Sequence, residues 1–441
     1  MNQNPRYFSI HGAGRANFAG SLIISAVALV GAAGSAWATE FNLTSLVTDD
    51  AANLQALGFP AATTVDTSLV NPWGVSFTPT TSPFWVSDNG TGLTTLYTAV
   101  GVEQFPVPVP PGSPPGTLPM PVIIAPPGGS PAGTTAAPTG QVFNSAPGST
   151  DFSVASNGQS VKPTFIFATE DGTISGWPSS TRPQQTILSP VDNSASGAVY
   201  KGLAIATTAS GSFLYAANFN SGNVEMYNTS WSQTKIFTDP SLPPVPTGTP
   251  PGQNWAPFNV QLINGQLYVT FALQDAAKHD DVPGVGNGFV DMFTTDGTFV
   301  KRLINTGSGD VLNSPWGLAI APAGFGEYAN ALLVGNFGDG LIHAFDPTTG
   351  APIGVLEGPN GQPLDIPGLW DITVGNQAAN PNALYFTAGL PEADNLELLE
   401  QAGLFGDLTV APEPGSLALL ATGLAGLMWF RRRRRSPIIE I

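Results

Sequence analysis

Residues 314–350, SPWGLAIAPAGFGEYANALLVGNFGDGLIHAFDPTTG, alternate short apolar runs with turn residues. The runs are GLAIA at 317–321, ALLVG at 331–335, LIHAF at 341–345 and PIGVL at 352–356. The turns 338–340 and 346–350 are built from Gly, Asp, Pro and Thr. No run is long enough for an amphipathic helix, and each stops at a turn signal, so the pattern predicts four short antiparallel strands. Four such strands in about 40 residues make one blade of a β-propeller.

One blade cannot bury both of its faces, so the pattern must recur. Its opening does: NPWGVSF at 71–77, APTGQVF at 137–143, VYKGLAI at 199–205, APFNVQL at 256–262, SPWGLAI at 314–320 and GLWDITV at 368–374. The fourth positions are Gly74, Gly140, Gly202, Asn259, Gly317 and Asp371, spaced by 66, 62, 57, 58 and 54 residues. Second strands align as FWVSD (84–88), FIFAT (165–169), FLYAA (213–217), LYVTF (267–271), LLVGN (332–336) and LYFTA (384–388). Six openings predict an all-β, six-bladed β-propeller over 39–411. The run EFNLTSLVTDD at 40–50 is expected to complete the last blade beside 404–410, so that strands from both ends close the ring and protect its open edges. A short helix or turn is expected within 49–59.

Composition agrees. The chain has 51 glycines, 42 prolines and only 10% charged residues, which suits short strands and turns better than a helical enzyme. The absence of cysteine excludes disulfides, thiolate metal sites and cysteine nucleophiles. Residues 105–138 are rich in proline and glycine and cannot supply central strands. They read as a stiff surface loop with one edge strand at 119–125, and 240–251 reads as a second loop.

The two ends carry sorting features. Residues 1–38 have a weakly basic start (Arg6, His11, Arg15), an apolar run at 18–34 and a small-x-small site ending at Ala38, the pattern of a cleaved secretory signal. At the other end Pro412-Glu413-Pro414 precedes an apolar stretch, 416–430, and five arginines, 431–435. This order over 412–435 resembles the PEP-CTERM tail of exported bacterial proteins. The resemblance implies transient anchoring in the inner membrane by the apolar helix, with the arginines cytoplasmic. A cut near Pro412-Glu413-Pro414 by an exosortase-type protease would follow, leaving the protein on the cell surface or outside the cell. Residues 39–411 keep seven Lys and Arg against twenty-nine Asp and Glu, a formal charge of −22. Such a surface excludes nucleic acid as a partner and suits cations, neutral glycans or basic proteins.

Candidate chemistry falls in two places. The insertion ALQDAAKHDDVPGVGN (272–287) clusters Asp275, His279, Asp280 and Asp281, oxygen and imidazole ligands suited to Ca²⁺ or another divalent ion, without EF-hand spacing. The same cluster also reads as a solvated acidic loop. The other place is the axis, where a propeller's innermost strands crowd together. Glycine at four of the six fourth positions fits that crowding, and Asn259 and Asp371 are the exceptions. Trp73, Phe258, Trp316 and Trp370 fill third positions, with Lys201 among them. Either Asn259 and Asp371 form a ligand or calcium site walled by these aromatics and helped by Asn71 and Asn313, or they bond free N–H groups while the tryptophans pack as core. His343 reads as a sheet histidine, since both of its strand's faces are apolar. The chain has no G-x-S-x-G elbow, H-E-x-x-H pair or phosphate loop.

The Pro-x-Gly openings, GNGFVDMF (286–293), SPWGLAIAP (314–322) and VGNFGDGLIHAFDP (334–347) resemble six-bladed NHL and SMP-30 type propellers, and across 40–410 an exported bacterial propeller family of unassigned function. The SMP-30 lactonases hold calcium in the channel with Glu, Asn, Asn and Asp. Only Asn259 and Asp371 match such positions, and no glutamate stands at an opening. The expectation is an exported binding module for extracellular polysaccharide or a protein partner, and the alternative is a calcium-assisted hydrolase or lactonase working in the channel.

Overall fold

The computed structural model describes residues 39–107, 120–305 and 311–412. The signal segment, the apolar C-terminal helix and the cut at Glu413 and Pro414 lie outside them. No described helix is long and apolar enough to cross a membrane.

Six sheets, antiparallel apart from a parallel Thr64–Val65 edge on the last, follow one another along the chain as the six blades. Their innermost strands are Pro72–Ser76, Pro138–Phe143, Tyr200–Thr208, Trp255–Ile263, Pro315–Ile320 and Leu369–Val374, the six openings in order. Blades three, four and five are plain four-stranded meanders. Helical structure among the described residues is confined to Ala51–Ala56 and to two 3₁₀ turns, Ser194–Ser196 and Gly326–Tyr328. The helix starts where the Asp50 carboxylate accepts the Ala52 and Asn53 N–H groups at 2.8 and 3.0 Å, satisfying two donors of its first turn.

Closure is as the pattern predicted. Phe41–Thr48 lies antiparallel on Ala402–Val410, from Phe41 opposite Val410 to Thr48 opposite Leu404. Phe41 is fully buried and packs on Phe325 with ring centroids 5.0 Å apart. The first strand therefore contributes to the seam between the last two blades as well as to a sheet edge.

The edge strand expected at 119–125 in the proline-rich stretch is present as Val122–Ile123. It pairs with Leu93 and Thr94, beside Glu103–Gln104, which precedes the stretch and pairs with Leu96 and Tyr97. The two pieces share the outer edge of blade one, where missing proline N–H groups cost no ladder bonds. Val122 and Ile124 are fully buried against Trp85, Phe165 and Trp177, because an apolar pair flanked by proline can still fill the gap between two blades.

The core lies between neighbouring blades rather than within them. One cluster joins Leu267, Phe271 and Phe289 of blade four to Tyr215, Val224 and Phe237 of blade three. Its Phe271 and Phe289 rings stack at 4.6 Å.

Candidate functional site

All six innermost strands break register at the same step. In blade three Tyr200 faces Asn218 and Gly202 faces Ala217, which leaves Lys201 as an extra residue. Phe258, Trp316 and the Trp73, Thr139 and Trp370 steps are arranged alike. A bulge frees its extra side chain from the sheet's alternation and re-aims it. Here it gathers the third positions at the axis. Trp73 stacks on Trp370 with centroids 3.4 Å apart, Trp316 meets both edge-on at 6.1 and 6.0 Å, and Phe258 lies 5.9 Å from Trp370. These rings are at most 2% exposed, so they pack as a plug across the channel.

The fourth positions form a ring just beyond the plug. A Cβ on Gly140 would sit 2.4 Å from the Leu203 nitrogen, and one on Gly317 would sit 2.6 Å from the Trp370 carbonyl. Glycine there lets each innermost strand lie against the next. Asn259 and Asp371 span the remaining seams with their side chains. Asn259 Nδ2 donates to the Trp316 carbonyl at 2.9 Å, and its Oδ1 accepts from Val260 N–H at 2.8 Å. Asp371 Oδ2 accepts from Val75 N–H at 2.7 Å. Both residues are buried. Burial lifts the Asp371 carboxyl to about 7, against the downward pull of the Val75 and Ile372 N–H groups.

Beyond this ring the channel widens into a cavity of about 280 Å³. Phe77, Phe143, Leu203, Ile205 and Leu262 are among its walls, and Asp371 is the only ionisable residue among those lining it. Three lining residues hold buried polar atoms without a hydrogen-bond partner: Asp371 Oδ1, Gln141 Oε1 and Ser76 Oγ.

On the face where the innermost strands begin, Lys201 organises a second group. Its side chain is 2% exposed, its ammonium contacts Glu170, and it lies 3.3 Å from Asp280 and 5.0 Å from the Trp73 ring centroid. Desolvation works against this charge, and the carboxylates of Glu170 and Asp280 outweigh it, so the lysine pKa is raised. His279 Nδ1 is 2.9 Å from Asp280 Oδ1. That pairing pushes His279 up and, with Lys201, holds Asp280 down to about 2. Glu400 is raised to about 7, chiefly by burial and then by Glu170. Its Oε1 accepts from Asn71 Nδ2 at 3.1 Å. Asn71, Ser314, Lys278 and Glu400 all hold positive φ, at 47°, 48°, 59° and 69°. Strained backbone of this kind concentrates where surrounding structure fixes a functional geometry.

The structure therefore divides the residues expected to share one site. Lys201 is not the counter-ion of Asp371, whose partner is a backbone N–H. Asn71 and Asn313 do not assist Asn259 or Asp371. Asn71 accepts the Trp370 indole N–H at 2.9 Å, and Asn313 accepts Gly284 N–H at 2.6 Å. Within the blade-four insertion, Asp275 caps its own turn by accepting His279 N–H at 2.9 Å. Asp280 reaches Lys201 and His279, while Asp281 Oδ2 is buried without a partner and its carboxyl is lifted to about 6 by burial. His343 is a sheet histidine as expected, though its Nε2 lacks a partner and burial lowers it to about 4. Sequence reading missed Glu170, Glu400 and Gln141. Glu170 had one usable signal: it sits in the turn after the second strand, as Asn89 does in blade one, and the two side chains meet at 2.8 Å.

Comparison with known proteins adds sorting but no chemistry. Residues 410–434 match the PEP-CTERM protein-sorting motif. Uncharacterized protein R640 of Acanthamoeba polyphaga mimivirus is 33% identical over 241 residues, 54% of this chain and 42% of the relative, so the chain spans less than half of that relative's length. Uncharacterized protein R648 of the same virus is 28% identical over 74% of this chain and 73% of its own. Among solved structures, a streptogramin B lyase superposes with a TM-score of 0.43 at 11% identity, covering 86% of this chain and 100% of the other. The calcium-binding protein regucalcin of Agrobacterium tumefaciens gives 0.39 at 13%, covering 78% and 92%. The chain is a six-bladed β-propeller that carries a PEP-CTERM motif, which implies export, processing by exosortase and sorting to the cell surface.

Proposed function

We propose that this exported propeller is a binding module that takes its ligand at the axial face around Lys201. One observation carries the reading: Glu170 of blade two, Lys201 of blade three, His279 and Asp280 of blade four and Glu400 of blade six converge there with shifted or mutually paired charges. Burial of ionisable groups is costly, and groups with shifted pKa values concentrate at functional sites. Exposed His279 and Asp280 stand beside the buried pair and offer both donors and acceptors. Hydroxyl-rich extracellular polysaccharide suits that mixture, and a basic protein partner suits the overall charge of −22 over 39–411, where seven Lys and Arg face twenty-nine Asp and Glu.

A hydrolase reading has one observation in its favour. Ligand atoms of Glu170, His279 and Asp280 lie within 4.8 Å of one another, close enough to hold a divalent ion, with Glu400 near neutrality as a base. Against it, the Lys201 ammonium already contacts both carboxylates. Calcium on Asn259 and Asp371 has less support. Asn259 has both amide ends engaged, and calcium takes about six to eight oxygens.

Glycan-array and calorimetric binding, repeated on His279→Ala and Asp280→Asn, test the module reading. Loss of glycan or protein binding in both variants is expected. Unchanged binding in both would move the site elsewhere, and metal-dependent ester or lactone turnover lost in the same variants would favour the enzyme. In the same reading the secreted form begins after Ala38 and ends near Pro412, and the intact mass of protein released from native cells checks both cuts.

A further inference from the structure

The face around Lys201 is closed. The Lys201 side chain is 2% exposed and that of Glu170 12%, while Asp280, 3.3 Å from the ammonium, is 66% exposed. Asp280 therefore stands between the lysine and solvent. It belongs to the blade-four insertion, and the bonding of that insertion divides it into a base and a tip. At the base Gln274 is buried, with its N–H donating to Asn254 O at 2.8 Å and its Nε2 to Phe219 O at 2.5 Å. Asp281 bridges Gln274 across the base, and Val282 N–H donates to Leu273 O at 2.8 Å. The tip, residues 275–280, is folded on itself. Asp275 N–H donates to the Asp280 carbonyl at 2.7 Å, and Lys278 N–H to the Asp275 carbonyl at 3.1 Å. Asp275 Oδ1 accepts the His279 and Asp280 N–H groups at 2.9 and 3.3 Å. Among the described residues, two bonds tie this tip to the rest of the propeller. One is the Asp280–Lys201 pair, and the other runs from Asn220 Nδ2 to the Lys278 carbonyl at 3.5 Å. The second is at the limit of a hydrogen bond, and an ion pair with one exposed partner is weak.

We propose that residues 275–280 are a lid over the axial face, hinged at Gln274 and Asp281 and latched by Asp280 on Lys201. The lid rests on the reading of this face as the ligand site. With Lys201 and Glu170 covered, a ligand reaches them only when the tip lifts. The tip keeps its internal bonds as it does so, because they all lie between its own residues, and the base keeps the chain in register. A ligand whose hydroxyl or carboxylate oxygens take over the Lys201 ammonium replaces the Asp280 carboxylate and holds the lid open. Asp280 is thus an internal competitor for the ligand's place on Lys201.

The test reads access to Lys201 itself. The full chain, purified in mild detergent, is treated with the amine-acylating reagent sulfosuccinimidyl acetate. Acetylation of Lys201 is then followed by peptide mass spectrometry against the exposed Lys235. Asp280→Asn is expected to label Lys201 about fivefold faster than wild type, the factor that a partly exposed ion pair is worth. The lid is then fastened. The chain has no cysteine, so Asn220→Cys with Lys278→Cys gives two thiols that dibromobimane can bridge. Bridging is expected to slow Lys201 labelling in this double variant and to erase the gain when Asp280→Asn is added. Each bridged protein is compared with itself before bridging, which separates closure from any change in folding. No faster labelling in Asp280→Asn, or equal labelling before and after bridging, would overturn the lid. So would a gain in Asp280→Asn that survives the bridge, since that gain would be a local effect on the amine. Glycan and protein binding measured on the same samples keep the two readings apart. Labelling as expected without any binding leaves the lid standing and removes the binding module, and binding that a bridged lid does not weaken does the reverse.

Discussion

Asp371 and Gln141, from blades six and two, grip opposite sides of a single peptide group in blade one. Asp371 Oδ2 takes the Val75 N–H at 2.7 Å, and Gln141 Nε2 reaches the Gly74 carbonyl at 2.6 Å. Three innermost strands are tied through one amide plane, and these three meet where the chain's first and last blades join. The tie has a consequence for pH. The Asp371 carboxyl titrates at about 7 in the folded chain against 3.8 as a free side chain. Its contribution to stability is therefore full below pH 4 and is lost as pH rises through 7, by at most about 4 kcal/mol at about 1.4 per pKa unit. Asp371→Asn keeps an acceptor for Val75 without the charge. Its stability relative to wild type, measured by urea denaturation, should improve between pH 4.5 and pH 8.

The buried pair at Lys201 gives a second prediction. Lys201→Met leaves Glu170, whose side chain is 12% exposed, without its cation. Removing one partner of such a pair costs about 3–5 kcal/mol, whereas removing both is often neutral. Lys201→Met should therefore lower the urea midpoint strongly, and Lys201→Met with Glu170→Gln should recover most of the loss.

A methyl group at the ring should be intolerable. In Gly140→Ala the new carbon would lie 2.4 Å from the Leu203 nitrogen and within 3 Å of two Gly202 backbone atoms. None of these atoms can rotate away, so the strands must part at a cost of about 3 kcal/mol or more. A fall in melting temperature with a broadened unfolding transition is the expected readout.

Ring closure can be tested by deletion. A chain lacking residues 39–48 exposes the edge of Ala402–Val410, with its unpaired N–H and C=O groups. Size-exclusion chromatography should find it as oligomers or aggregate. A synthetic peptide of sequence FNLTSLVT, added in excess, should restore monomer.

The blade count and the residues at each opening were legible because turn chemistry and strand alternation are local. Gly74, Gly140, Gly202 and Gly317 could be placed at a crowded axis, since only close backbone approach explains glycine at one step of a repeat. The roles of Asn259 and Asp371 were half legible. Their replacement of glycine marked them, but the partners that decide their chemistry, Trp316 and Val75, belong to other blades.

The chain's local pattern was enough for the order of strands, the closure by 40–50 and the sorting tail. Tertiary structure alone decided which side chains meet. Strand alternation places third and fourth positions on opposite faces, and the bulge repeated in every innermost strand overrides it, turning Trp73, Lys201, Phe258, Trp316 and Trp370 together. Lys201 then meets Glu170, 31 residues away, and Asp280, 79 residues away. A contact of that kind depends on how six blades close into a ring, and ring geometry is a property of the whole chain that no window of sequence contains.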